Sequence, residues 1–162
     1  MFPQESRHIA TLAGLGSAAL LAAALFFQSL GYAPCELCIL QRWPHVAAAA
    51  LGLLIWFTGF RRALAVLGMA TAGVAAGLAL YHLGVEYGWW PGPSHCSGGV
   101  SNLTSLSTQD LMAQLQAAPV VRCDEVAWRF LGLSMAGWNM ICSAGLVLLW
   151  AASLRRGGMA GV

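Results

Sequence analysis

The sequence predicts an all-α polytopic membrane protein: a four-transmembrane-helix bundle with a short amphipathic surface helix in its second periplasmic loop. Three observations predict it. The chain of 162 residues is 59% hydrophobic and only 9% charged, with a mean hydropathy of +0.69. That is too apolar for a soluble core wrapped in a polar shell. Its apolar residues gather into four runs of about twenty, the length that crosses a hydrocarbon core of about 30 Å. The arginines are also sorted by side. Arg7, Arg61, Arg62, Arg155 and Arg156 fall on one face of a four-span topology, and Arg42, Arg122 and Arg129 fall on the other with most of the acids. The positive-inside rule therefore puts both termini in the cytoplasm and both longer loops outside, which in a bacterial cell is the periplasmic face. There is no lysine, and a net charge of +2 from scattered arginines leaves no footprint for nucleic acid.

Taken in order, the first span is expected over about 9–30. One arginine precedes it and no convincing cleavage site follows, so it reads as a retained helix rather than a signal peptide. Gly31, Tyr32 and Pro34 break it and open a loop over about 31–42. The second span, about 43–60, ends in the polar turn Phe60-Arg61-Arg62. The third, about 63–83, carries Gly73 and Gly77 at the four-residue spacing that lets helices approach closely. A long loop, about 84–132, starts with Trp89-Trp90-Pro91-Gly92-Pro93, an interfacial aromatic pair followed by a turn. Within it, Ser107-Thr108-Gln109-Asp110 resembles a capping box, and Leu111, Met112 and Leu115 then share one helical face. A helix lying on the membrane surface fits that pattern, and Pro119 ends it. The last span is expected over about 133–154, closed by Arg155 and Arg156. The whole chain, 1–162, reads as one membrane domain.

Cysteine placement carries the chemistry. Of five cysteines, Cys35, Cys38, Cys96 and Cys123 lie in the loops and Cys142 lies inside the last span. Cys35-x-x-Cys38 closes a small ring whose disulfide forms and breaks readily once one thiol ionises easily. Arg42 follows Cys38 by four residues, one helical turn, so a guanidinium can share its face. Arginine at the edge of the hydrocarbon wants a partner or a function. Beside Cys38 it can stabilise a thiolate, an anionic ligand oxygen, or both. Cys96 and Cys123 flank the surface helix. A static disulfide there would stabilise the loop by roughly 3–4 kcal/mol on the chain-entropy view, but a Cys-x-x-Cys at the same membrane face makes exchange between the pairs the stronger reading. His45 and His95 read as loop or helix-end residues, Glu86 is given no role, and Cys142 reads as a small packed hydrophobe.

In this combination the chain resembles the disulfide bond formation protein B (DsbB) family. The resemblance rests on Cys35-x-x-Cys38 with Arg42 between the first two spans, on the second pair between the last two, and on Cys123-Asp-Glu-Val-Ala-Trp128 leading into the final span. It covers essentially the whole chain. It implies an enzyme of the inner membrane, a protein-disulfide:quinone oxidoreductase. Such an enzyme re-oxidises a periplasmic DsbA-like, thioredoxin-fold dithiol protein and passes the electrons to the membrane quinone pool, ubiquinone or menaquinone. By that resemblance Cys96 takes the partner's thiolate, Cys123 exchanges with Cys35, and Cys38 is freed beside the quinone. Arg42 then holds a quinone oxygen, and His82, at the end of the third span, lies near the same ligand.

Three other readings compete. A vitamin K epoxide reductase-like thiol oxidase would carry its quinone-facing Cys-x-x-Cys on a late helix, whereas here the motif precedes the second span. A metal-binding membrane protein would use Cys35, Cys38, Cys96, Cys123 and His95, although the second pair lacks the close spacing of structural zinc sites. No metal is expected. A purely structural bundle with static disulfides would leave Arg42 unexplained.

Overall fold

The computed structural model describes residues 2–93, 96, 107, 109, 112 and 121–158. The surface helix expected after Ser107 and the loop residue His95 fall largely or wholly outside them. Among the described residues, four helical stretches are long and apolar enough to cross a membrane: Gln4–Ser29, Glu36–Thr58, Arg62–Glu86 and Met135–Gly157. They come from five helices. These are α1 (Phe2–Ser29), the five-residue α2 (Glu36–Leu40), α3 (Arg42–Thr58), α4 (Arg62–Glu86) and α5 (Met135–Gly158). Gln41, between α2 and α3, keeps helical dihedrals (φ −64°, ψ −20°), so the Cys-x-x-Cys turn runs on into the second crossing almost without a break.

The helices form a ring. α1 packs on α3 and α5, α4 packs on the same two, and the diagonal pairs touch little. At one end Glu5 of α1 pairs with Arg156 of α5, and the Arg7 guanidinium lies over the Trp56 ring, 5.2 Å from its centroid. The termini therefore share the end opposite the cysteine loops. The centre is built mostly from small residues, Ala10, Ala13, Ala65 and Ala72, around Ile55, Leu146 and a fully buried Trp150. Bulky residues such as Leu15, Phe57 and Leu148 point outward. Lipid solvates them as well as a core would, so small residues mark the contact faces.

The close approach falls at different glycines from those the spacing suggested. Gly73 and Gly77 have nothing within 4 Å of an added Cβ. The tight crossing is between Gly14 of α1 and Gly52 of α3, where a Cβ on Gly52 would lie 2.7 Å from the Gly14 Cα. Backbone cannot yield as a side chain can. Gly52→Ala is expected to lower stability by about 1–3 kcal/mol through overpacking. Gly73→Ala should be neutral or slightly stabilising, because alanine is the better helix former. Thermal unfolding in detergent checks both.

The described structure departs from the expected spans at their ends. α1 begins at Phe2 because Gln4, Glu5, Ser6 and Arg7 continue the helix beyond the apolar run. α4 continues past Leu83 to Glu86, carrying one more turn toward the cysteine face. Leu133 and Ser134, expected in the last span, instead form β2 (Leu133–Ser134), paired antiparallel with β1 (Arg129–Phe130). The two-residue loop between them holds Leu131 at φ 52° and Gly132 at φ 82°. Two successive positive φ values make the tight turn that matches strand twist. This small hairpin, absent from an all-α reading, sets the entry into α5.

Candidate active site

Pro34 ends the extended stretch before α2, and Cys35 (φ −73°, ψ 172°) caps that helix, its Sγ accepting from the Cys38 N–H at 3.3 Å. The cap turns both side chains inward. The Cys35 thiol donates to Cys38 Sγ at 2.8 Å, and Cys35 itself is 4% exposed. That donated bond, reinforced by burial, holds the Cys35 thiol protonated, well above the ordinary thiol range. Within the pair Cys38 Sγ is therefore the acceptor.

The second pair is joined: Cys96 and Cys123 form a disulfide with Cα atoms 5.5 Å apart. The Cys123 N–H also donates to the Cys96 carbonyl at 3.0 Å. Cys35, Leu37, Val85, Cys96 and Cys123 form one buried cluster, with Cys38 packed against it. The fold thus brings together two cysteine pairs from different loops. Cys142, by contrast, is a half-buried free thiol on α5 outside this cluster.

His82 stands at the join. Its Nε2 lies 3.6 Å from Cys35 Sγ, on the side of the ring near the Cys123 backbone. Its Nδ1 meets Gln41 Nε2 at 2.9 Å. Glu86, one turn further along α4, places Oε1 3.9 Å from His82 Nε2 and accepts a hydrogen bond from the Ser134 hydroxyl. Arg42 turns its Nη1 toward α1, donating to Gln28 Oε1 at 2.8 Å.

Beside these groups a cavity of about 220 Å³ opens between α1, α3 and α5. Leu20, Leu21, Ala24 and Phe27 of α1, with Trp128 and Met135, make its apolar wall. Polar groups collect at one side: Cys38, Gln41, Arg42, His45, His82 and Asn139. Such a cavity suits a flat, largely apolar ligand with polar edges. A metal reading finds a different set from the one the sequence offers, with His82 in it and His95 outside the described residues. Cys35, Cys38 and His82 hold their ligand atoms within 4.8 Å of one another, but Cys96 and Cys123 are bonded to each other and cannot serve as thiolates.

Of the residues singled out from sequence, Cys35, Cys38, His82, Cys96 and Cys123 come together and Arg42 stands at the cavity wall. His45, read as a helix-end residue, is instead 4% exposed and bonded through Nε2 to Asn139 Oδ1 at 3.0 Å. Gln28, Gln41, Asn139 and Glu86 were given no role. Their signal was the presence of amides and an acid at the ends or inside of apolar runs, where polar side chains are expensive and usually functional.

The family model for disulfide bond formation protein DsbB matches residues 6–153. The disulfide bond formation protein B of Xanthomonas campestris pv. campestris (strain 8004) is 36% identical over 146 residues, 85% of this chain and 83% of that protein. Its namesake in Xylella fastidiosa (strain 9a5c) is 34% identical over 139 residues, 80% of this chain and 79% of that one. No solved structure matches significantly. With two cysteine pairs gathered at one end of a four-helix membrane bundle, the chain belongs to the disulfide bond formation protein B (DsbB) family.

Proposed function

We propose that this chain, working as one membrane unit over 1–162, is a protein-disulfide:quinone oxidoreductase of the bacterial inner membrane. Its termini are cytoplasmic, and its cysteine loops, about 31–42 and 84–132, face the periplasm. The observation that carries the reading is the apolar cavity that reaches Cys38 with Arg42 in its wall. The residues fit a quinone. An apolar wall suits the ring and tail, and Arg42 Nε is a buried donor without a partner among the described residues, which a quinone oxygen could accept from.

The chain's own groups then act in sequence. The thiolate of a DsbA-like, thioredoxin-fold partner attacks Cys96 Sγ, and the Cys96–Cys123 bond breaks, leaving the Cys123 thiolate. That thiolate exchanges with Cys35 in the oxidised Cys35–Cys38 pair, and Cys38 leaves as a thiolate in the cavity. His82 keeps an N–H beside Cys35 and the Cys123 backbone, holding the exchanging groups in register. Arg42 orients the ligand and balances negative charge. The partner's second thiol then attacks its mixed disulfide with Cys96 and leaves oxidised, and the freed Cys96 thiolate attacks Cys123, restoring Cys96–Cys123 and releasing Cys35 beside Cys38 as the reduced pair. Ubiquinone or menaquinone, when bound, would supply the two-electron, two-proton acceptor that balances re-formation of the Cys35–Cys38 bond.

The test is quinone reduction by the purified protein with a reduced thioredoxin-like dithiol as donor, followed by quinone absorbance. Steady turnover is expected with ubiquinone or menaquinone. No reduction with either, together with stoichiometric metal on Cys35, Cys38 and His82 after reducing purification, would move the assignment to a metal-binding protein.

A further inference from the structure

Among the described residues, two cavity-wall side chains hold buried polar atoms with no hydrogen-bond partner: Arg42 Nε and His45 Nδ1. His45 follows Arg42 by three positions on α3, so the two side chains share a face. A buried ring nitrogen left bare costs free energy that a ligand can recover.

The chemistry of that ligand follows from the hydrogen bonds behind the ring. The Leu37 carbonyl can only accept, so the Gln41 terminus facing it at 3.1 Å is the NH2 group. Gln41 Oε1 therefore faces Asn139, and receives the Asn139 NH2 at 2.7 Å. Asn139 Oδ1 is then left for His45 Nε2 at 3.0 Å, and also accepts from the Ser143 hydroxyl at 3.3 Å. A neutral imidazole has one N–H. In His45 it is on Nε2, and Nδ1 is a bare acceptor. One backbone carbonyl thus fixes, through two amides, which hydrogen-bonding role His45 offers the cavity.

We propose that His45 is a binding residue for the reduced ligand: Nδ1 accepts a hydrogen bond from a hydroxyl of the hydroquinone. This rests on the quinone reading. A quinone carbonyl has no hydrogen to give, so the oxidised ligand gains nothing from the same atom. The site therefore favours hydroquinone and raises the potential of the bound couple.

The test separates the two ring nitrogens. Glutamine at 45 places its amide where Nε2 stands and keeps the Asn139 bond; asparagine places its amide near Nδ1. Full-length protein with oxidised cysteines is titrated in detergent with short-chain ubiquinone and menaquinone and with each hydroquinone. His45→Gln is expected to bind hydroquinone about five- to tenfold more weakly, the loss for one hydrogen bond, with quinone affinity nearly unchanged. The midpoint potential of the bound couple should fall by about 20–30 mV. His45→Asn should retain most of the preference. In wild-type protein labelled with 15N-histidine, hydroquinone and not quinone should shift the His45 Nδ1 resonance, a readout that needs no variant. Equal losses of both forms, or no loss and no Nδ1 shift, would overturn the inference while quinone binding by the wild type stands. A wild type that binds neither form would overturn the quinone reading and this inference with it.

Discussion

Replacing Cys38 with serine is expected to abolish quinone reduction, by about 10³-fold or more, the scale of losing a nucleophile. The thiolate is the reactive form of cysteine, and a serine hydroxyl does not ionise at neutral pH. No second thiol can take over. Cys38 is the cysteine that lines the cavity, while Cys35 is 4% exposed and holds its proton in the bond to Cys38. The same asymmetry predicts the order of alkylation. In reduced wild type at neutral pH, iodoacetamide should label Cys38 well before Cys35, read by mass spectrometry of the peptides. The disulfide between Cys96 and Cys123 should survive Cys38→Ser, since neither its S–S bond nor the Cys123 N–H···Cys96 carbonyl bond beside it involves that side chain. Quinone absorbance with a dithiol donor measures the loss, and a melting curve separates it from unfolding. Retained turnover would remove Cys38 from the electron path.

The extent to which this site could be read from sequence depends on how each residue announces itself. The four crossings were legible because lipid demands long apolar runs, and the charge sorting of the arginines told the same story independently. Cys35, Cys38 and Arg42 were legible because they are adjacent in the chain and their joint chemistry needs no fold to be seen. His45 and Asn139 were not, since 94 positions separate them. Each alone reads as a stray polar residue, and only the packing of α3 beside α5 turns them into a pair. Gln41 shows the same limit. Next to Arg42 it looks like an ordinary helix-end amide, yet it joins His82 of α4 to Asn139 of α5. The glycines failed for another reason. Four-residue spacing defines a face of a helix without saying whether a neighbour covers it, so Gly73 and Gly77 fitted the pattern while Gly14 and Gly52 make the crossing.

Arg42→Leu is expected to raise the quinone KM by about 10- to 100-fold with a smaller loss of kcat. A hydrogen bond from a charged donor contributes roughly 1.5–3 kcal/mol, which corresponds to about that range in affinity. The geometry says which part of the guanidinium is free to supply it. Nη1 is engaged with Gln28 at 2.8 Å, and Nε is buried and unpartnered among the described residues, so the side chain is anchored at one edge with a donor to spare. Leucine keeps the apolar contacts of the arginine stem and removes both roles. Arg42→Lys should rescue only in part, because an ammonium can replace the charge but cannot reach Gln28 and the ligand at once with a planar fork. Gln28→Ala separates anchoring from charge. It leaves the guanidinium intact but untethered, and should raise KM by a few-fold only, about 0.5–1 kcal/mol, the low end of net hydrogen-bond contributions. Steady-state kinetics over a quinone series at saturating dithiol donor distinguishes these cases. An unchanged KM in Arg42→Leu would mean that the guanidinium serves the bundle through Gln28 and not the ligand, and the donor to the quinone oxygen would have to be sought among Gln41, Asn139 and His82.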